Sequence, residues 1–107
     1  MADIATKKIF ENDKFALWEM VLEPGEVTPV HTHTRDYVFY VLEGSTGEVI
    51  DKHGHSVGQL EMKAGDTYFF KLVGQELVAG EFRIPVTHCA RNVGKTRFRE
   101  ILVESKE

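Results

Sequence analysis

Alternation of apolar and polar side chains with a period of two is the feature of this sequence that most constrains its fold. In residues 15–23, FALWEMVLE, the side chains of Ala16, Trp18, Met20 and Leu22 fall on one face of an extended chain. The alternation stops at turn signals such as Pro24-Gly25 and resumes after them. No segment carries apolar residues at convincing helical spacing. The pattern predicts an all-β protein, a sandwich or barrel of about eight or more short strands.

The alternating segments occupy most of the chain and define one domain. We predict strands over residues 15–23, 27–42, 47–51, 56–62, 67–73, 77–84, 87–92 and 97–104. No linker or low-complexity run separates them, and 107 residues is a length typical of one domain. We therefore expect a single domain over residues 1–107, with residues 1–8 and 104–107 loosely ordered at its ends.

Charge and composition argue against two classes of partner. The chain has 13 basic and 17 acidic residues, a net charge of -4, which offers no basic surface to nucleic acid. No stretch approaches the roughly 20 apolar residues of a membrane-spanning helix. The single cysteine, Cys89, cannot form an internal disulfide, and the first residues lack the apolar run of a secretory signal. We expect a cytoplasmic protein with no nucleic-acid or membrane partner.

Residues 38–42, VFYVL, are apolar on both faces of the predicted strand. A small barrel that stood alone would leave one of these faces in water. We therefore expect the outer face to pack against a second copy of the chain in a homodimer.

Three of the five histidines are predicted to share one interior face. His31 and His33 lie two residues apart, so their imidazoles project from the same face of a strand, the face that also carries Phe39. Imidazoles inside a small barrel are costly to bury without partners, and a divalent metal ion is one such partner. His88 has the parity of two small apolar neighbours, so it also faces inward. Together they predict a metal site with positions open for water, oxygen or a substrate.

The other two histidines and the cysteine are assigned no catalytic or metal-binding role. His53 and His55 flank Gly54 in a predicted hairpin turn, where exposed histidines are ordinary, and a second metal site there is the less favoured alternative. Cys89 points away from His88 along the predicted strand, and no activating base is evident on its face. We interpret Cys89 as a buried packing residue.

Two segments of the chain resemble the two sequence motifs of the cupin superfamily. The first motif is G-x5-H-x-H-x3,4-E-x6-G, and in this chain Gly25-x5-His31-x-His33 is followed by Tyr37-x6-Gly44. The second motif opens with P-x-G-D and ends with H-x3-N, to which residues 63–66, KAGD, and 88–92, HCARN, are similar.

The resemblance covers roughly residues 18–103. It implies a double-stranded β-helix, which is a small jelly-roll barrel and is usually dimeric. A shorter likeness, His31-x-His33-x2-Asp36-Tyr37 with the turn at 63–65, links the chain to small cupins of β-alanine catabolism.

The chain departs from the cupin pattern at three places. The glutamate of the first motif falls at Tyr37, so the fourth metal ligand is missing, replaced by the tyrosine oxygen, or supplied by Asp36 through a bulge. Residues 73–81 form an apparent insertion in the second motif, and the glycine usual after Pro85 is absent. Three-histidine cupins exist among iron(II) dioxygenases, so the loss of the glutamate need not end metal binding.

The candidate site contains two polar candidates beside the histidines, and an apolar wall. Tyr37 is assigned a catalytic role, either to ligate the metal, to donate a proton or to hold a substrate, with a core tyrosine whose hydroxyl is hydrogen-bonded as the alternative. Arg35 has the same parity and is a candidate for binding a substrate carboxylate, with a solvated arginine as the alternative. The substrate pocket is expected to be lined by Trp18, Met20, Phe39, Phe70, Phe82 and Ile84.

The resemblance implies one divalent metal ion, Fe, Mn, Ni or Zn, held by His31, His33 and His88. The leading hypothesis is a metal-dependent enzyme, an Fe(II)-type dioxygenase or an isomerase that acts on a small polar molecule. The alternative is a non-catalytic cupin that binds or senses a small molecule without an active metal centre. A third interpretation is a purely structural one, in which the histidines pack in the core without metal.

Overall fold

A computed structural model describes residues 3–106, and every regular element among them is a β-strand. No helix within this range could cross a membrane. The strands, in chain order, are β1 (Lys7–Glu11), β2 (Phe15–Leu22), β3 (His31–Thr32), β4 (Tyr37–Glu43), β5 (Ser45–Asp51), β6 (Ser56–Met62), β7 (Thr67–Val73), β8 (Glu76–Ala79), β9 (Phe82–Pro85), β10 (Thr87–Asn92) and β11 (Phe98–Ser105). The predicted all-β class is confirmed.

The strands form two antiparallel sheets. The larger sheet has the order β1-β2-β11-β4-β7-β8-β9, and the smaller one has the order β3-β10-β5-β6. The C-terminal strand β11 pairs with β2 on one side and β4 on the other, so it lies inside the larger sheet. Strands distant in sequence are therefore neighbours in both sheets, which is the jelly-roll arrangement predicted for the chain.

The core lies on the inward face of the larger sheet, and the period of two in the sequence produces it. Alternate residues of β4 are buried, while Tyr40 between them is about half exposed, at 48%. The same alternation in β2 and β11 turns one apolar row inward from each strand. The buried side chains of these three strands are Ala16, Trp18, Leu22, Tyr37, Phe39, Val41, Phe98, Glu100 and Leu102.

The strand predicted over residues 27–42 is divided by the crossing from one sheet to the other. β3 belongs to the smaller sheet, β4 belongs to the larger sheet, and residues 33–36 connect them. The crossing is held by two hydrogen bonds: the His33 N–H donates to the Val86 carbonyl at 2.9 Å, and the Leu72 N–H donates to Asp36 Oδ1 at 2.8 Å. Because residues 33–36 belong to neither strand, strand parity does not apply within them.

Both ends of the chain carry packed or paired residues where the structure describes them. Ile4 and Ala5 are buried in the core, and β1 pairs with β2. At the other end, β11 pairs with β2 as far as Ser105 opposite Phe15. Apolar burial and strand pairing therefore hold both segments. Residues 1, 2 and 107 lie outside the described residues.

The apparent insertion at residues 73–81 adds the next-to-last strand at one side of the larger sheet. It forms β8, which pairs with β7 and β9 in a meander. Gly74 and Gly80 have φ angles of 62° and 61°, a left-handed conformation that glycine adopts without strain, and they turn the chain on either side of β8. Leu77 of β8 is completely buried, so the insertion contributes to the core.

One asparagine ties the end of β10 to the larger sheet. Asn92 is 1% exposed, and its Nδ2 donates to the carbonyls of Leu22 at 2.9 Å and Thr96 at 2.8 Å. Its Oδ1 accepts from Ser45 Oγ at 2.7 Å and from the Gly94 N–H at 3.0 Å. All hydrogen-bonding positions on this buried amide side chain are therefore in use.

Candidate metal centre and its cavity

The two sheets bring His31, His33 and His88 together inside the barrel. His31 begins β3 and lies directly opposite His88 on β10, whereas His33 follows β3 in the connection to β4. The ring centroids are 4.8 to 5.0 Å apart. All three residues are buried, and one nitrogen of each lies within 4.8 Å of the others. The histidines predicted as metal ligands thus form a single cluster.

Backbone carbonyls orient two of the three imidazoles. His31 Nδ1 is 2.9 Å from the Pro29 carbonyl oxygen, and His88 Nδ1 is 2.7 Å from the Pro85 carbonyl oxygen. A carbonyl oxygen only accepts, so Nδ1 of each ring carries the proton and donates it. Each ring therefore keeps the lone pair on Nε2, which is the arrangement found in metal-binding histidines with an outer hydrogen-bond partner.

The third imidazole lacks such a partner. His33 Nδ1 is buried and makes no hydrogen bond within the described residues. A buried polar nitrogen without a partner costs about 1–3 kcal/mol. The fit to a metal rests instead on the cluster itself: one nitrogen of each of the three imidazoles lies within 4.8 Å of the others, and two of the rings keep a free Nε2 lone pair.

Burial keeps the cluster in the neutral form that binds metal. Loss of solvent lowers the pKa of His33 to about 2 and the pKa of His88 to about 4, and it also lowers the pKa of His31. The charges of the two neighbouring imidazoles also lower the pKa of His33. Three neutral imidazole nitrogens suit Zn, Fe, Ni or Cu.

No carboxylate joins the cluster within residues 3–106. Asp36, one candidate for a fourth ligand, instead accepts the hydrogen bond from the Leu72 N–H through Oδ1 at 2.8 Å. Asp36 thus fastens the connection between the sheets to β7, and it is not one of the clustered candidate ligands.

Tyr37 lies against the cluster as predicted from its position in the chain. Its ring stacks on His33 with centroids 4.4 Å apart and planes inclined at 24°, and Phe70 stacks on it at 5.3 Å. Burial, with a smaller contribution from the charge of Glu100, raises the pKa of the Tyr37 phenol. The hydroxyl therefore remains protonated, and it can donate a hydrogen bond.

A partly open cavity of about 90 Å³ adjoins the histidines. Its wall includes five of the six residues predicted to line the pocket: Met20, Phe39, Phe70, Phe82 and Ile84. Trp18 is buried in the core but does not line the cavity, and Lys8 Nζ covers its ring at 5.0 Å. Arg35 is exposed and does not reach the cavity, because residues 33–36 do not continue the strand whose parity would turn it inward.

Glu100 was not predicted from the sequence as a residue of the site. This residue lies on β11 between the buried Phe98 and Leu102, it is 2% exposed, and it lines the cavity. Its Oε2 atom is buried with no hydrogen-bond partner, and burial raises its pKa to about 8. Strand parity with Phe98 and Leu102 was the available signal, since it places an acidic residue in an inward row.

The remaining histidines and the cysteine lie where they were predicted. His53 and His55 are exposed in the turn between β5 and β6, where Asp51 Oδ1 accepts both of their N–H groups at 2.9 Å. They belong to no metal-binding group that the structure describes. Cys89 is buried, and burial raises the pKa of its thiol, as befits a packing residue.

A family model described as "Cupin domain" matches residues 18–72, and the chain belongs to this family. The match includes β4 and two of the clustered histidines, and the double-stranded β-helix expected of cupins is the fold observed. Among curated proteins, none matches the sequence.

Solved cupin structures share the fold at low sequence identity. A cupin domain from Bordetella pertussis Tohama I has a TM-score of 0.71 and 22% identity, covering 94% of this chain and 91% of its own. An RmlC-like cupin from Methanocaldococcus jannaschii has a TM-score of 0.63 and 11% identity, and the match covers 92% of this chain and 76% of the other. The polyketide cyclase RemF from Streptomyces resistomycificus has a TM-score of 0.59 and 24% identity, and the match covers 94% of this chain and 63% of the other. These likenesses establish the fold alone.

Proposed function

We propose that this cupin binds one divalent metal ion, Fe, Mn, Ni or Zn, at His31, His33 and His88 and acts on a small molecule in the adjoining cavity. The observation that carries the proposal is the cluster of three buried imidazoles, in which one nitrogen of each lies within 4.8 Å of the others. In two of these rings Nδ1 is engaged by a carbonyl, so the Nε2 lone pair is free. Neutral rings with free lone pairs have little reason to cluster in a core unless an ion joins them.

The proposed activity is that of an Fe(II)-type dioxygenase or an isomerase acting on a small polar molecule. When bound, the metal supplies Lewis-acid polarisation and, for iron, the means to activate oxygen. The carbonyls of Pro29 and Pro85 fix the orientation of two ligand rings. The Tyr37 hydroxyl donates a hydrogen bond at the site, while Phe39 and Phe70 keep its surroundings largely dry.

The alternative function is a non-catalytic cupin that binds or senses a small molecule. Tyr37 at the glutamate position and the absence of a carboxylate from the described cluster favour it. Oxygen uptake by the Fe(II)-loaded protein over a panel of small thiols, diketones and carboxylates separates the two. Turnover supports the dioxygenase, whereas ligand-induced thermal shifts without turnover support the binding protein.

Metal content of the tag-free protein tests the proposal. We expect wild type to hold about one metal ion per chain and to gain thermal stability on addition of Fe, Mn, Ni or Zn. The double variant His31→Ala/His88→Ala should hold none, with its fold checked by far-ultraviolet circular dichroism. The matched control His53→Ala/His55→Ala removes two exposed histidines and should bind metal as wild type does. Wild type without metal and without a thermal shift would contradict the proposal.

Two further properties of the whole protein belong to the proposal. The outer face of the larger sheet presents Tyr40 and Leu42 from β4 and Phe69 from β7, which is 55% exposed. We propose that this face packs against a second copy of the chain in a homodimer.

The lone Cys89 suits a reducing compartment, and we propose that the protein is cytoplasmic.

A further inference from the structure

Glu100 is an acid inside the barrel that the proposed metal centre does not use. It lies within β11, opposite Met20 on β2 and Val41 on β4, and it lines the same cavity as the histidines. The residue is 2% exposed, and its Oε2 atom has no hydrogen-bond partner. It is not one of the three residues in the metal-binding cluster.

The protein supplies no partner for this carboxyl among its described residues. The adjacent cation, Arg99, projects from the opposite face of the sheet and binds Glu19 through a 2.7 Å hydrogen bond from Nε to Oε2. An unpaired neutral polar group costs about 1–3 kcal/mol when buried, and an ionised one costs far more. The missing partner must therefore come from the contents of the cavity.

Glu100 and Tyr37, which stacks on His33, start from different backbone positions along the larger sheet. Tyr37, which stacks on His33, and Val41, which is paired with Glu100, are four residues apart on β4. At about 3.3 Å per residue, these backbone positions are roughly 13 Å apart. A molecule that lies between these points can meet a polar group at each end and apolar side chains between them.

We propose that Glu100 is the recognition residue of the cavity, and that its carboxylic acid hydrogen-bonds an uncharged group, such as a hydroxyl, on the small molecule that the cavity takes. This inference deepens the proposed function, and it rests on that function in placing the ligand in the same cavity.

The surroundings of Glu100 select an uncharged partner. The wall near it carries apolar side chains, including Met20, Phe98 and Leu102, which offer nothing to solvate an ion pair. Burial raises the pKa of Glu100 to about 8, so the neutral acid has an O–H that donates and a C=O that accepts. A hydroxyl matches both functions, whereas a ligand carboxylate would be repelled once Glu100 ionises.

Two matched probes test the proposal on the metal-free protein. Cyclopentanol and cyclopentane differ by one hydroxyl, and neither chelates metal, so failure of the metal site leaves this test intact. Affinities are measured by NMR titration of wild type, Glu100→Leu and the control Glu81→Gln, whose residue is exposed in the turn after β8. We expect the ratio of alcohol to hydrocarbon affinity to fall about tenfold in Glu100→Leu and to be unchanged in Glu81→Gln.

Three results would overturn the proposal. They are an equal affinity ratio in wild type and Glu100→Leu, tighter binding of cyclopentylammonium than of cyclopentanol, and no binding of either neutral probe to wild type. A second measurement needs no variant: the infrared carbonyl band of protonated Glu100 in wild type should shift with cyclopentanol and not with cyclopentane. An unshifted band would equally overturn it, and a negative result here would leave the metal proposal standing.

Discussion

At the scale of single residues, the three clustered histidines differ in what holds them. His31 and His88 are each fixed by a carbonyl, whereas His33 is held by stacking on Tyr37. Tyr37 contributes its ring to this contact. Tyr37→Phe keeps the ring and removes the hydroxyl, so we expect its metal content to equal that of wild type. Loss of the metal in this variant, measured by elemental analysis, would show that the tyrosine oxygen is a ligand.

The acid at position 100 makes stability depend on pH in a defined direction. Below about pH 4 Glu100 is protonated in both the folded and the unfolded chain. Between pH 4.5, its ordinary pKa, and its folded-state pKa of about 8, only the unfolded chain releases the proton, so wild type loses stability as pH rises. Glu100→Gln lacks this loss, and its stability relative to wild type should rise by on the order of 3–5 kcal/mol between pH 4 and pH 8. Urea unfolding of both proteins across this range measures it, and a difference independent of pH would contradict it.

At the scale of elements, one side chain joins the end of β10 to the larger sheet. Asn92→Ala leaves the buried carbonyl of Leu22 and the Oγ of Ser45 without their partner and opens a void. We expect the free energy of unfolding to fall by about 3 kcal/mol or more. The control is Asn12→Ala. Asn12 Oδ1 accepts from the exposed Lys14 and Phe15 N–H groups, so this substitution should lower the free energy of unfolding by only about 1 kcal/mol. Chemical denaturation compares the two variants, and equal losses would refute the role of Asn92.

The strands of this fold could be predicted from the sequence, but the break between β3 and β4 could not. Alternation predicts strands because a strand buried on one face must place apolar residues at every second position. The break at residues 33–36 was not predictable in this way. It depends on hydrogen bonds from the His33 N–H to Val86 and from the Leu72 N–H to Asp36, between segments distant in the chain. This break explains why parity succeeded for His31 and failed for Arg35.

The site was predictable in part for a related reason. His31, His33 and His88 share spacings typical of a known motif, and parity predicted each of them to face inward, although His33 lies in the connection where parity does not apply. Glu100 has the same inward parity, but charged residues are rarely fully buried without a partner, so the general expectation was a solvent-facing acid. Only the three-dimensional structure shows that this acid lines the cavity.

At the scale of the whole molecule, the apolar outer face of the larger sheet predicts self-association. Phe69 is 55% exposed, so Phe69→Arg should leave the fold intact while it places a charge in the proposed interface. We expect wild type to sediment as a dimer and Phe69→Arg as a monomer. Val57→Arg is the control, because Val57 is an exposed apolar residue of the smaller sheet and should leave the dimer unchanged. A monomeric wild type would contradict the homodimer.

The most direct test of the central claim is X-ray absorption spectroscopy of the zinc-loaded protein, which reports the ligands of the metal itself. A site formed by His31, His33 and His88 predicts three imidazole nitrogens at about 2.0–2.1 Å. The control variant His53→Ala/His55→Ala should give the same spectrum. A metal with one imidazole or none, or with a sulfur ligand at about 2.3 Å, would contradict the three-histidine centre.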